Sequence, residues 1–123
     1  MNDQIKLNNS ETRIMNVLWE KGQLPAKEVA LEAAARYGWN KNTTYTILKA
    51  LIEKDYLRRE EPNFVCVPLL KRGEVQRAET RGLIDRLFGG SPANFLSAFV
   101  ENEELSDDEL AKIRRLIDEG EER

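Results

Sequence analysis

Residues 37–57 read YGWNKNTTYTILKALIEKDYL, and this stretch decides the fold. Ile47, Leu48, Leu51 and Ile52 recur at helical spacing and predict a helix over residues 41–54 with one apolar face. Asn40 is a good N-cap for it. The opposite face carries Asn42, Thr43, Tyr45, Thr46 and Lys49, a single charge among hydrogen-bonding groups. A helix that meets only water more often carries Glu and Lys, so this face is composed to touch something polar.

On the N-terminal side two further helices are expected. The first covers residues 10–20, with Ile14, Val17 and Leu18 on one face, Asn9 or Ser10 as cap and Gly22 as stop. The second covers residues 25–37. Pro25 suits its first turn, where the missing N–H costs nothing. Val29, Ala30, Ala33, Ala34 and Tyr37 form its inward stripe, and Gly38 stops it. On the C-terminal side, residues 56–60 and 64–68 are short extended runs around the turn residues Glu61-Pro62-Asn63, the pattern of a hairpin. Two helices, a third with a polar face, then a hairpin: this is the order of a winged helix-turn-helix.

The remaining third of the chain is expected to be helical again. Residues 71–88 carry Val75, Ala78, Ile84, Leu87 and Phe88 before Gly89-Gly90-Ser91-Pro92 breaks the helix. Residues 93–100 place Phe95, Leu96, Phe99 and Val100 together. Ser106-Asp107-Asp108-Glu109 is a capping box flanked by a Leu105/Leu110 staple. The stripe Leu110, Ile113, Leu116 and Ile117 follows, with Gly120 as the expected stop. Helices this short bury little alone. Leu87, Phe88, Phe95, Phe99, Leu110, Ile113, Leu116 and Ile117 are therefore expected to pack on each other and on a second copy. The expected class is mainly α: a winged helix-turn-helix with a small β-hairpin wing over residues 1–72, and a helical dimerisation domain over residues 73–123.

Composition narrows the function. The 123 residues contain one Cys and no His. A single Cys66 closes no intramolecular disulfide, which suits a reducing compartment, and reads as a small hydrophobe in the hairpin. Transition-metal sites draw on several Cys and His, so no metal is expected. Catalysis with a His base is excluded, and carboxylates such as Glu103 and Glu104 join no convergent catalytic set. No phosphate-cradling loop is present, so no cofactor and no enzyme activity are expected. No apolar run approaches the roughly 20 residues of a membrane span, and the start MNDQIKLNNS lacks the apolar core of a signal peptide. The expectation is a cytoplasmic protein without membrane insertion. The formal net charge of −3 is divided unevenly: residues 1–75 are net +2 and residues 76–123 net −5.

The stretches LNNSETRIMNVLWEKG at residues 7–22, YGWNKNTTYTILKALIEKDYL at 37–57, Val67-Pro68-Leu69, and FVENEELSDDELAKIRRLID at 99–118 resemble, in order and spacing, the penicillinase-repressor family of the BlaI/MecI/CopY type. The resemblance spans essentially the whole chain. It implies a homodimeric transcriptional repressor whose N-terminal domains bind a palindromic double-stranded DNA operator. On that reading Thr43, Tyr45 and Thr46 meet base edges, Lys41, Asn42 and Lys49 meet phosphates, and Arg58 and Arg59 are the wing's contacts. Trp19 and Trp39 read as packing residues. Asp55 stands where the family usually has Gly, and Asp tolerates the left-handed turn. The hairpin tip, Glu60-Glu61-Pro62-Asn63, is acidic where many members have basic wings. In the antibiotic-resistance branch a membrane sensor protease leads to cleavage of the repressor, which here corresponds to Ala98-Phe99; Ala98 replaces the Asn of resistance-type repressors. The C-terminal Cys cluster of the copper branch is missing. A protein-binding winged-helix adaptor is the alternative, one that would not need the polar face at residues 42–49.

Overall fold

The computed structural model describes residues 5–102 and 104–121. The candidate carboxylate Glu103 lies outside the described residues. The elements run α1 (Asn9–Lys21), β1 (Leu24–Pro25), α2 (Ala26–Tyr37), α3 (Lys41–Glu53), β2 (Leu57–Glu60), β3 (Val65–Pro68), α4 (Arg72–Leu87), α5 (Pro92–Asn102) and α6 (Asp107–Glu121). By backbone contact the chain divides into two compact units, Met1–Arg81 and Gly82–Arg123, so the division falls within α4.

In the first unit, local chemistry sets each boundary. The cap of α1 is Asn8, one residue before the expected Asn9 and two before Ser10. Its side chain accepts from the Glu11 N–H at 2.8 Å, and the Asn8 N–H donates to the Glu11 carboxylate at 3.0 Å. The result is a reciprocal capping box, built on Asn where Ser or Thr is usual. Gly22, at φ 82°, ends α1 with its N–H on the Leu18 carbonyl. Pro25 does not open α2 as expected. It pairs with Val65 in β1, and Leu24 pairs with Cys66. The sheet therefore has three strands in the order β1-β3-β2, where the sequence suggested only the β2–β3 hairpin. Gly38 closes α2 in the left-handed conformation. After α3, Asp55 takes φ 63°, as expected for the residue in the family's glycine position.

Ile14, Met15, Leu18, Ala26, Val29, Ala33, Leu48, Leu51, Leu57 and Cys66 form the core of this unit. Burial of each large aliphatic chain contributes about 1.5–3 kcal/mol. Ala34, expected in the inward stripe of α2, is exposed. Ile47, Ile52 and Tyr37 are half-buried at the rim of the core, as are Trp19 and Trp39. The Trp19 indole donates to the Leu70 carbonyl at 2.9 Å, and Trp39 lies against Tyr37 with ring centres 5.1 Å apart.

In the second unit, Phe88 and Phe95 meet edge to face at 5.4 Å, and Phe95 and Phe99 lie 6.2 Å apart. Ile84 is buried. Helix α5 starts at Pro92 and runs to Asn102, longer than the expected 93–100, with the Ser91 hydroxyl accepting from the Asn94 N–H. The Ser106 hydroxyl accepts from the Glu109 N–H and starts α6 as expected. Gly120 does not end α6, which continues to Glu121. One glycine costs a helix only about 1 kcal/mol relative to alanine, so it weakens the last turn without forbidding it. Leu87, Phe99, Leu116 and Ile117 remain exposed on this chain; Phe88, Phe95, Leu110 and Ile113 are half-buried.

Candidate nucleic-acid interface

The N-terminal half of α3 is organised by its cap. Asn40 Oδ1 accepts from both the Thr43 N–H at 2.9 Å and the Thr43 hydroxyl at 3.1 Å. The Thr46 hydroxyl donates to the Asn42 carbonyl at 2.9 Å. Both hydroxyl protons are thus engaged within the helix. What Thr43 and Thr46 offer outward is a methyl group and oxygen lone pairs. Lys41, Asn42, Thr43, Thr46 and Lys49 are exposed together on one side. Tyr45 belongs to the same side but is half-buried, with the Lys41 ammonium 5.8 Å from its ring centre. Thr44, between these exposed residues, is fully buried, and its hydroxyl has no hydrogen-bond partner among the described residues.

The wing presents its two arginines differently. Side chains alternate across a strand, so Arg58 and Arg59 belong to opposite faces of β2. Arg59 lies beside α3: with Tyr45, Lys49, Ile52, Glu53 and Phe64 it lines a groove of about 450 Å³ between α3 and the hairpin. Its guanidinium sits 3.9 Å from the centre of the Phe64 ring and is paired with Glu61. Arg58 does not line this groove and is paired with Glu60 at 2.7 Å. The hydrogen bond from Arg59 holds the Glu61 carboxyl below the usual carboxylate range, assisted by the Phe64 N–H and opposed by partial burial. The acidic tip noted in the sequence thus serves as the arginines' own counter-charge.

Of the eight residues singled out for nucleic-acid contact, seven are therefore gathered on α3 and the adjoining side of the wing, and Arg58 is not. Two neighbours of this set escaped the sequence reading. Phe64 meets Tyr45 edge to face at 5.9 Å, a contact between residues 19 apart that no local pattern announces. Lys27 lines a cleft of about 220 Å³ with Ala30, Leu31, Ala34 and Lys41. Here a signal existed: residues 27, 31 and 34 repeat at helical spacing on the outward face of α2, with Leu31 57% exposed, while Ala30 at the base of the cleft is buried.

The sequence profile described as Penicillinase repressor matches residues 7–119. Among similar proteins, the methicillin resistance regulatory protein MecI of Staphylococcus aureus (strain N315) is 24% identical over 118 residues, 94% of this chain and 96% of its own. The penicillinase repressor of Bacillus licheniformis is 23% identical over 116 residues, 93% of this chain and 91% of its own. The solution structure of the DNA-binding domain of the repressor BlaI superposes with a TM-score of 0.52 at 26% identity, covering 60% of this chain and 90% of that domain.

Proposed function

This chain belongs to the penicillinase repressor family, and from that premise we propose that it is a DNA-binding transcriptional repressor that acts as a homodimer on a palindromic operator in the cytoplasm. The observation that carries the reading is the exposed side of α3. It offers threonine methyls and lone pairs, an Asn and two lysines, and it holds no carboxylate from Lys41 to Lys49. Thymine methyls and base edges in the major groove match the first set, and phosphates match the lysines. Residues 1–72 carry DNA recognition and residues 73–123 carry dimerisation. The exposed Leu87, Phe99, Leu116 and Ile117 supply an apolar surface for a second copy. Two-fold pairing would set half-sites one helical turn apart.

Selection from a random duplex pool tests this reading. The expected outcome is a palindrome bound by two chains per duplex, with affinity that falls steeply as salt rises. Recovery of no preferred sequence, with no affinity for random DNA, would support the adaptor reading instead.

Relief of repression proceeds through loss of the dimer, by cleavage of Ala98-Phe99 through a membrane sensor protease or by an effector. The bond lies inside α5, where the Ala98 carbonyl accepts from the Asn102 side chain at 2.7 Å. A protease that reads extended chain must first unwind this turn. A chain of residues 1–98 mimics the product: it keeps all of the first unit and lacks α6. It is expected to be monomeric at micromolar concentration. Its operator affinity should fall by about 10²–10⁴, the gain normally drawn from linking two sites. Full-strength binding by this chain would exclude cleavage as the switch.

A further inference from the structure

Phe64 occupies an unusual place. Its backbone is left-handed at φ 50°, a conformation that bulky L-residues rarely adopt and that persists only where the surroundings enforce it. Four contacts do so. The Phe64 carbonyl accepts from the Ala26 N–H at 2.8 Å and ties the hairpin to the start of α2. The Phe64 N–H donates to Glu61 at 3.4 Å. The ring meets Tyr45 of α3 edge to face and carries the Arg59 guanidinium 3.9 Å from its centre. Asn63, immediately before, is also left-handed at φ 73°, where Asn is well suited. A second Asn or a Gly would take φ 50° with less strain than Phe does. The aromatic ring at position 64 is therefore held in place against a backbone preference.

We infer that Phe64 is a specificity-positioning residue: its ring fixes the Tyr45 side chain and the Arg59 guanidinium relative to one another, so that α3 and the wing meet DNA as one surface. This rests on the DNA-binding reading of α3. Tyr45 is half-buried against Phe64, which limits the directions open to its ring. The Lys41 ammonium lies 5.8 Å from the centre of the same Tyr45 ring. The row Lys41, Tyr45, Phe64, Arg59 thus joins the first turn of α3 to the wing without a gap. Phe64 itself need touch no base. Removing its ring leaves every DNA-facing side chain in the protein and frees two of them to wander. The loss should then appear where geometry matters, at the preferred sequence, and not in the general attraction to phosphate.

The test uses the full chain with substitutions F64N, F64L and F64Y, each measured against the selected operator and a random duplex of equal length. F64N deletes the ring and suits the left-handed backbone, so the domain should stay folded by circular dichroism and melting temperature. Its operator affinity should fall about 5- to 20-fold while random-duplex affinity stays within about 2-fold, the scale of one lost aromatic pair and its oriented neighbours. F64Y keeps the ring and should keep the wild-type ratio. F64L fills the space without an aromatic edge and should behave as F64N; it carries the test should F64N fail to fold. A Y45L/F64L double-substitution cycle should show non-additivity in the operator-to-random ratio. The inference is overturned if F64N or F64L retains the wild-type ratio, or if it weakens both duplexes equally. A wild-type chain that distinguishes no sequence would instead overturn the DNA-binding reading itself.

Discussion

The carboxylate of Glu11, at the start of α1, receives the ammonium of Lys54, at the end of α3, on both its oxygens at 2.8 and 2.9 Å. Glu11 is 2% exposed, and one of those oxygens also accepts the Asn8 N–H of the capping box. A second link runs beside it, from the Lys6 N–H to the Tyr56 hydroxyl at 3.0 Å. The C-terminal end of α3 is thereby tied to the N-terminus of α1, so the orientation of α3 depends on a pair 43 residues apart in sequence.

Lys54→Ala leaves a buried carboxylate without its cation and should lower unfolding free energy by about 1–2 kcal/mol. Glu11→Ala removes the pair and the carboxylate half of the capping box, keeps the Asn8 side-chain bond to the residue 11 N–H, and should cost a comparable amount. Lys21→Ala, which breaks an exposed pair with Glu32 at 3.4 Å, serves as the reference and should stay within about 0.5 kcal/mol. Urea denaturation distinguishes them. If Lys54→Ala is as silent as Lys21→Ala, the Glu11–Lys54 pair contributes nothing.

On α3, Thr46→Ala should weaken operator binding by about 1–3 kcal/mol and relax preference at one position of the site. Lys49→Ala should weaken all duplexes alike and reduce the salt slope by about 1. Anisotropy titrations over a salt series on operator and random DNA read both. Equal losses on both duplexes for the two substitutions would remove the assignment of Thr46 to base reading.

Leu116 is 59% exposed on the single chain, so replacing it disturbs little within its own unit. Leu116→Asp puts an unpaired charge into the proposed dimer face and should yield a folded monomer at micromolar concentration. Sedimentation equilibrium decides this, and an unaltered dimer would locate the interface elsewhere.

Cys66 lies fully buried in the centre of the sheet, paired with Leu24 and Arg59, and burial raises its thiol to about 11. The folded state favours the neutral thiol over the thiolate. The contribution to stability is therefore complete below the ordinary value of 9.0 and is lost as pH rises from there through about 11. Cys66→Val should remove this part of the alkaline decline, visible as a shallower fall in unfolding free energy over that interval. Alkylation of the native thiol should be slow at neutral pH and fast in urea. Rapid alkylation of the native protein would contradict the burial.

Much of the first unit was legible because it is written in local patterns. The apolar spacing of α3, its Asn40 cap and the hairpin around Glu61-Pro62-Asn63 each lie within a few residues of the feature they specify. The exposed polar set on α3 followed from the same periodicity. Strand β1 was not legible: Leu24-Pro25 is too short for any pattern, and Pro25 reads equally well as a helix start. Its role comes from long-range pairing with Leu24↔Cys66 and Pro25↔Val65. The Tyr45–Phe64 contact and the Glu11–Lys54 pair escaped for the same reason, since each joins separate elements. The separation of Arg58 from Arg59 could have been read from strand alternation, which places adjacent residues on opposite faces.

The acidic wing tip has a consequence for how this surface meets a polyanion. An ordinary basic side chain lets DNA shed condensed cations into bulk solution, and dilution of those ions drives binding. Arg59, the wing arginine that lies beside α3, instead carries its own counter-charge in Glu61, tethered two residues away along the same chain. Phosphate must evict a carboxylate that cannot diffuse off, and the evicted group remains nearby as a competitor. On the DNA-binding reading proposed above, the wing would be a self-buffered contact: it would give little indiscriminate grip to passing duplex and leave Lys41 and Lys49 to supply the non-selective attraction. A protein of net negative charge can in this way avoid being titrated onto the excess of irrelevant DNA around its target.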